Sequence, residues 1–248
     1  MNVSLYQAAA AMNANSRWQE VISENLSAGG VPGFKRQELP FSAIQAGMQP
    51  SPQFGSAQSF SLPISTPVTN FSQGELRVTK SPTDFAIEGD AFFEVQLPDG
   101  SHAFTRDGEF KLGPQGQLLT KQGFSVLNES GPLRFNPAQA DAIQVAPTGE
   151  IHQGVDAKGT LKLATFADPR ALTPLGDGLF LAKAPQAQPQ PAVGCLVRQG
   201  FTEASNTSSL TEMSNLIMAM RGYEANQKVI QTQDERMGRA ISELGAAS

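Results

Sequence analysis

The chain has 248 residues, 40% of them hydrophobic and only 17% charged, with a net charge of −5. A charge-poor, acidic chain without a basic stripe argues against nucleic-acid binding, which needs clustered Lys and Arg to meet phosphates. The lone cysteine, Cys195, excludes an internal disulfide and any paired-thiol motif, and no apolar run approaches the ~20 residues of a membrane span.

The N-terminal segment reads as a helix from about Ser4 to Ser27. Met1, Leu5, Ala8, Met12, Asn15, Gln19, Ile22 and Leu26 recur at steps of four and three, the spacing of a coiled-coil seam. Gly29, Gly30, Pro32 and Gly33 end it, because glycine accepts left-handed backbone and proline cannot continue a helix. No basic stretch leads into an apolar one, so this end is not expected to be a cleaved secretory signal.

Residues 29–74 follow as an extended linker. From Leu39 through Gly74 there is no charged residue, and prolines stand at 40, 50, 52, 63 and 67, which excludes regular helix. Two readings stay open. The stretch is a flexible linker, or it is an extended segment laid on other surfaces through Phe41, Phe54, Phe60, Leu62 and Phe71.

Residues 75–182 read as a β-rich body. Phe93, Val95 and Leu97 alternate with Glu94 and Gln96, the period of a half-buried strand. Asp99-Gly100 and Asp107-Gly108 are hairpin signals, and Leu161–Leu163 and Leu179–Leu181 give later strands. Short strands without helical pattern between them favour an antiparallel sheet or small barrel.

A second linker, 183–203, leads to a C-terminal helix within 204–248, with Asn206 or Thr207 as N-cap. Met213, Leu216, Met220, Tyr223, Gln227, Ile230, Asp234, Met237, Ile241 and Leu244 form its seam. The fold class is therefore α+β, with N- and C-terminal helices around a mainly β centre. Both helices join the body at their inner ends, so an intrachain pair must be an antiparallel coiled coil. At 1.5 Å per residue the first helix is roughly 36 Å long and the last roughly 57 Å. An overhang of about 20 Å is left, whose apolar residues are best buried by another subunit. Asn15, Gln19, Gln227 and Asp234 in the seams penalise wrong registers. Leu5, Met12, Ile22, Leu26, Met213, Leu216, Met220, Tyr223, Ile230, Met237, Ile241 and Leu244 are the expected assembly interface.

Chemistry is sparse. His102 and His152 stand fifty residues apart without companion ligands, poor zinc spacing. Neither a phosphate-binding glycine loop nor a nucleophile elbow occurs. Asp84, Glu88, Asp90 and Glu94 cluster near one strand, and a carbohydrate hydrolase using Glu88, Asp90 or Glu94 is the enzymatic alternative. A secreted β binding module with coiled-coil stalks is a third. No catalytic residue, cofactor or metal is expected on the main reading.

Three segments resemble the bacterial flagellar rod and hook protein family. Asn25-Leu26-Ser27 through Pro32-Gly33-Phe34-Lys35-Arg36 is similar to its N-terminal signature, although Ala28, Gly30 and Val31 replace the usual Asn, Asn and Thr. Asp84–Val95 and Phe104-Thr105-Arg106-Asp107-Gly108-Glu109-Phe110 resemble the central motif, with Ala91 in place of a usual Gly. Gly200, Glu203, Ser205, Asn206, Glu212, Met213, Ile217, Arg221, Tyr223, Glu224, Asn226, Lys228 and Asp234 follow the C-terminal pattern in order. The resemblance implies a structural axial subunit of the basal body, exported by the flagellar export apparatus without a cleaved signal. It implies polymerisation with itself and homologous rod subunits into a periplasmic tube that transmits torque and encloses the export channel. The short segment before Gly74 and the Met213–Ile217 run look more like the proximal rod component than the distal or hook-type one.

Overall fold

The heptad-patterned ends form two helices, α1 (Val3–Ser27) and α2 (Ser209–Ala246), of 25 and 38 residues. The computed structural model describes residues 3–50, 57–136 and 142–246, with side chains described at 5–42, 66–136, 142–243 and 245. Met1, Phe54 and the side chains of Phe60, Leu62 and Leu244 therefore lie outside the described residues. The chain divides into a helical unit (Met1–Ser27, Gln37–Val68, Ser208–Ser248) and a β body (Ala28–Arg36, Thr69–Thr207).

In the helical unit α1 and α2 pack on each other. Gly222 of α2 faces Asn15 of α1, whose amide nitrogen would stand 3.0 Å from a Cβ at 222. The deepest residues are Ile22 and Asn25 near the end of α1 and Glu212 and Ala219 near the start of α2, the ends an antiparallel pair brings together. Asn25 donates to the Gln37 carbonyl (2.8 Å) and accepts from the Gln37 amide (2.9 Å), tying the returning chain to the helix end. The uncharged stretch then forms a two-stranded antiparallel ribbon, Phe41–Pro50 with Ala57–Ser65, bulged between Gln45 and Gly47. Its second strand lies along α1, and Phe41 meets Trp18 edge-on with ring centroids 5.5 Å apart. Of the residues named in the laid-down reading, Phe41 packs on Trp18 and Phe71 on Phe92 and Phe180.

The body is antiparallel. Its main sheet runs in the order Thr173–Gly176, Leu179–Leu181, His102–Thr105, Phe92–Gln96, Ser125–Asn128, Leu118–Leu119, Lys111–Leu112. A separate meander joins Ile143–Val145, Glu150–Gln153 and Asp156–Thr160. Strand alternation divides the core in two. Phe93 and Val95 point into a cluster with Phe85, Ile87, Phe110, Leu118, Val126 and Ile151. Phe92 on the opposite face joins Phe104, Phe166, Phe180 and Phe71, a set of edge-to-face rings. Phe92–Gln96 is thus covered on both faces and not half-buried as its alternation predicted. Glu94, the apparent solvent residue, is only 4% exposed.

Two boundaries differ from the sequence reading. The 183–203 linker ends in two body strands: Leu196–Gln199 pairs with Phe85–Glu88, and Phe201–Glu203 with Leu76–Val78. Asp99-Gly100 closes a hairpin, with the Gly100 amide on the Leu97 carbonyl at 2.9 Å, but Asp107-Gly108 does not. The strand after it pairs with Leu118–Leu119 and not back onto His102–Thr105. Gly108 is instead pressed against strand Phe85–Glu88, whose Phe85 carbonyl oxygen would lie 1.6 Å from a Cβ there.

Candidate functional site

The first candidate surface is on α2, where two apolar stripes run side by side. One stripe, buried or half-buried, is Glu212, Leu216, Ala219, Gly222, Tyr223, Asn226, Ile230 and Gln233. It contains Gly222, so it is the stripe that meets α1. The other is exposed: Leu210, Met213, Ile217 and Met220 over the first three turns, then Met237 and Ile241 near the end. Between those two patches the exposed stripe is polar, with Glu224, Gln227, Gln231 and Asp234 at the same spacing.

The predicted seam falls across both stripes. Leu216, Tyr223 and Ile230 lie on the half-buried one, whereas Met213, Met220, Met237 and Ile241 are exposed. On α1, Ile22 is buried and Leu5, Met12 and Leu26 are half-buried. The buried stripe of α2 therefore leaves out Met213, Met220 and Met237. It carries Leu216, Tyr223 and Ile230 together with the small residues Ala219 and Gly222, the last facing Asn15 of α1. Ala8 of the predicted α1 seam is buried, whereas on α2 the buried Ala219 stands one position from Met220, which the seam reading followed.

The second candidate is a buried knot of charge in the body. Glu203, fully buried, accepts from Lys35 Nζ at 2.5 Å through one carboxylate oxygen and from Arg106 at 3.2 Å through the other. Its first oxygen also takes the Gly74 amide at 2.8 Å. Lys35 donates further to the Ser72 carbonyl at 2.8 Å, and Arg106 to the Gly89 carbonyl at 2.6 Å. The Arg106 guanidinium stacks over the Phe92 ring, 5.0 Å from its centroid. Burial pulls both Lys35 and Arg106 below their ordinary pKa values, and the Glu203 carboxylate opposes that pull in each.

Nearby backbone is fitted just as closely. The turn before Lys35 is closed by main-chain bonds alone, Val31 amide to Ala28 carbonyl (3.0 Å) and Phe34 amide to Val31 carbonyl (3.3 Å). Asn206, predicted as the helix cap, does other work. Its side chain accepts from the Arg36 amide (2.7 Å) and donates to the Asn70 and Ser72 carbonyls (2.9 and 3.0 Å). Ser208 stands in the cap position, its carbonyl accepting from the Glu212 amide at 2.9 Å.

The acidic residues do not converge. Glu94 binds Lys162 (2.9 Å) and His102, and Glu88 binds Arg198 (2.8 Å). Asp84 sits in a backbone bridge to Glu109, and Asp90 is exposed. His152 faces Glu150 at 3.2 Å. Asp107 is buried enough that its carboxyl is pushed up to about 6.

Two family descriptions match the chain. Residues 198–243 match "Flagellar basal body rod FlgEFG protein C-terminal", and residues 86–153 match "Flagellar hook protein FlgE/F/G D1 domain". The chain is 34% identical to the flagellar basal-body rod protein FlgG of Caulobacter vibrioides, over 97% of this chain and 98% of that one. It is 33% identical to FlgG of Buchnera aphidicola, over 94% and 96% of the two chains. To the flagellar basal-body rod protein FlgF of Caulobacter vibrioides it is 29% identical, over 99% of both chains. Arg106 lies in one matched region and Glu203 in the other.

Proposed function

The chain belongs to the flagellar basal-body rod protein family, and we propose that it is a proximal-type rod subunit that polymerises through its terminal helices. Its role is structural: a rod subunit of the flagellar basal body. The observation that carries the assembly reading is the second apolar stripe of α2, Leu210, Met213, Ile217 and Met220, exposed while the neighbouring stripe is occupied by α1. A helix face of this kind, repeated on identical or homologous subunits, favours non-closing contacts and a helical tube. Such a tube would transmit torque and surround the export channel. The subunit would reach it through the flagellar export apparatus and stand in the periplasm.

The short segment before Gly74 and the Met213–Ile217 run support the proximal position. Alignment length does not separate the two, at 246 and 260 residues for two FlgF relatives and 251 to 265 for FlgG relatives. Identity supports the distal reading instead, at 34% for FlgG of Caulobacter vibrioides against 29% for FlgF of the same organism. The two are separated by labelling the chain in isolated basal bodies and imaging them. The proximal reading expects label at the cytoplasmic end of the rod; label next to the hook refutes it.

A further inference from the structure

The knot of Lys35, Arg106 and Glu203 holds two cations against one carboxylate. Among the described residues Glu203 is the one acid within ion-pair distance of either cation. Asp90, itself exposed, adds an electrostatic pull on both cations, smaller than that of Glu203. Arg106 Nε is buried without a partner. The three residues come from separate stretches: Lys35 from the short segment Ala28–Arg36, Arg106 from the central strands, Glu203 from the strand that precedes α2.

The two flanking stretches depend on the body differently. The C-terminal stretch has its own partners, since Leu196–Gln199 and Phe201–Glu203 pair with Phe85–Glu88 and Leu76–Val78, and Val197 enters the core. The N-terminal stretch touches the central residues, through Gly33 against the Arg106–Asp107 backbone, Lys35 on the Ser72 carbonyl and the Arg36 carbonyl on the Asn70 amide, and it also leans on the C-terminal stretch. Its Gly33 amide donates to the Glu203 carbonyl at 2.7 Å, its Arg36 amide to Asn206 Oδ1 at 2.7 Å, and its Lys35 ammonium to the Glu203 carboxylate. Arg106 and Glu203 balance without Lys35. Lys35 and Arg106 without Glu203 are two like charges sealed together, an unfavourable state in a dry interior.

We propose that this asymmetry orders the closing of the body: the C-terminal strand seats first, and only then can the segment carrying Lys35 dock. Glu203 lies in the last fifth of the chain. A segment made early therefore stays undocked until the late strand has arrived, and the knot acts as a conformational check on completeness. The check works through charge: docked before Glu203 arrives, Lys35 meets Arg106 with only the exposed Asp90 to offset the pair.

Hydrogen exchange followed by mass spectrometry on full-length variants tests this. Glu203→Gln is expected to speed exchange of the 33–36 amides by ~100-fold or more, well beyond its effect on Phe85–Glu88. Adding Lys35→Met to Glu203→Gln should recover most of that protection at Gly33 and Arg36. Lys35→Met alone should leave Phe201–Glu203 as protected as in the parent. The order is refuted if Glu203→Gln leaves 33–36 unchanged, if Lys35→Met brings no recovery, or if Lys35→Met alone exposes Phe201–Glu203. Should Glu203→Gln fail to fold, the double variant decides: a folded body by circular dichroism supports the ordering, and an unfolded one refutes it.

Discussion

Gly33 rests on the backbone of Asp107, so close that a Cβ on Gly33 would stand 2.2 Å from the Asp107 amide nitrogen. Its φ of +68° is also one that a side chain disfavours. Gly33→Ala therefore combines left-handed strain with a backbone clash, together about 3 kcal/mol or more. The expected result is a fall in the melting temperature of the body by ~10 °C in circular dichroism. Gly30→Ala, with nothing within 4 Å of its Cβ position and no positive φ, is the control and should melt like the parent. Equal melting of the two variants would show that the turn can move away from Asp107.

Asp107 itself gives the pH dependence. Burial, its largest influence, raises the carboxyl from 3.8 to about 6, against the opposing pull of the Glu109 amide and Lys121. A carboxyl raised in the folded state stabilises the fold most when protonated, below the unfolded value near 4. That contribution fades as pH rises through 6, by about 3 kcal/mol in all. Asp107→Asn keeps the oxygen that accepts from the Glu109 amide at 2.9 Å and removes the titration. The variant should be more stable than the parent at pH 7.5 by ~1–3 kcal/mol, with the advantage disappearing between pH 6 and pH 4. Urea unfolding at the two pH values measures it. A variant weaker than the parent at pH 7.5 would mean that the charged carboxylate is the form the fold uses.

The helices and the β body were legible because both are periodic: steps of three and four at the ends, steps of two at Phe93–Leu97. The knot was not. Lys35, Arg106 and Glu203 are separated by 71 and 97 positions, and any one of them alone reads as a surface charge. Only the pairing of Phe201–Glu203 with Leu76–Val78 and the docking of Gly33 carry them into one interior. The ribbon 41–65 was half legible. Spaced aromatics hinted at packing, but Gln, Ser and Pro give no clear alternation from which to set a register. Glu94 misled for a related reason, since a charged residue at an alternating position looks solvent-facing until Lys162 and His102 are placed beside it.

Ala219 and Met220 are neighbours on α2 with opposite surroundings, the first fully buried and the second 51% exposed. The same substitution at each should therefore separate two functions. Ala219→Asp puts a carboxylate into the stripe that contains Gly222, a change worth several kcal/mol against the helix pair. Trp18 lies on α1 and is the single tryptophan, so loss of the pair should appear as a red shift of its emission and a fall in helical ellipticity. Met220→Asp changes an exposed position, where substitutions usually fall within ~0.5 kcal/mol, and should leave emission, ellipticity and melting as they were. Assembly should respond in the other sense. Sedimentation and negative-stain imaging should find Met220→Asp folded but unable to join subunits, because a carboxylate now stands in the patch Leu210, Met213, Ile217 and Met220. Normal rods built from Met220→Asp would remove that patch from the interface. They would leave Met218, Val229 and the distal pair Met237 and Ile241 as exposed apolar residues of α2.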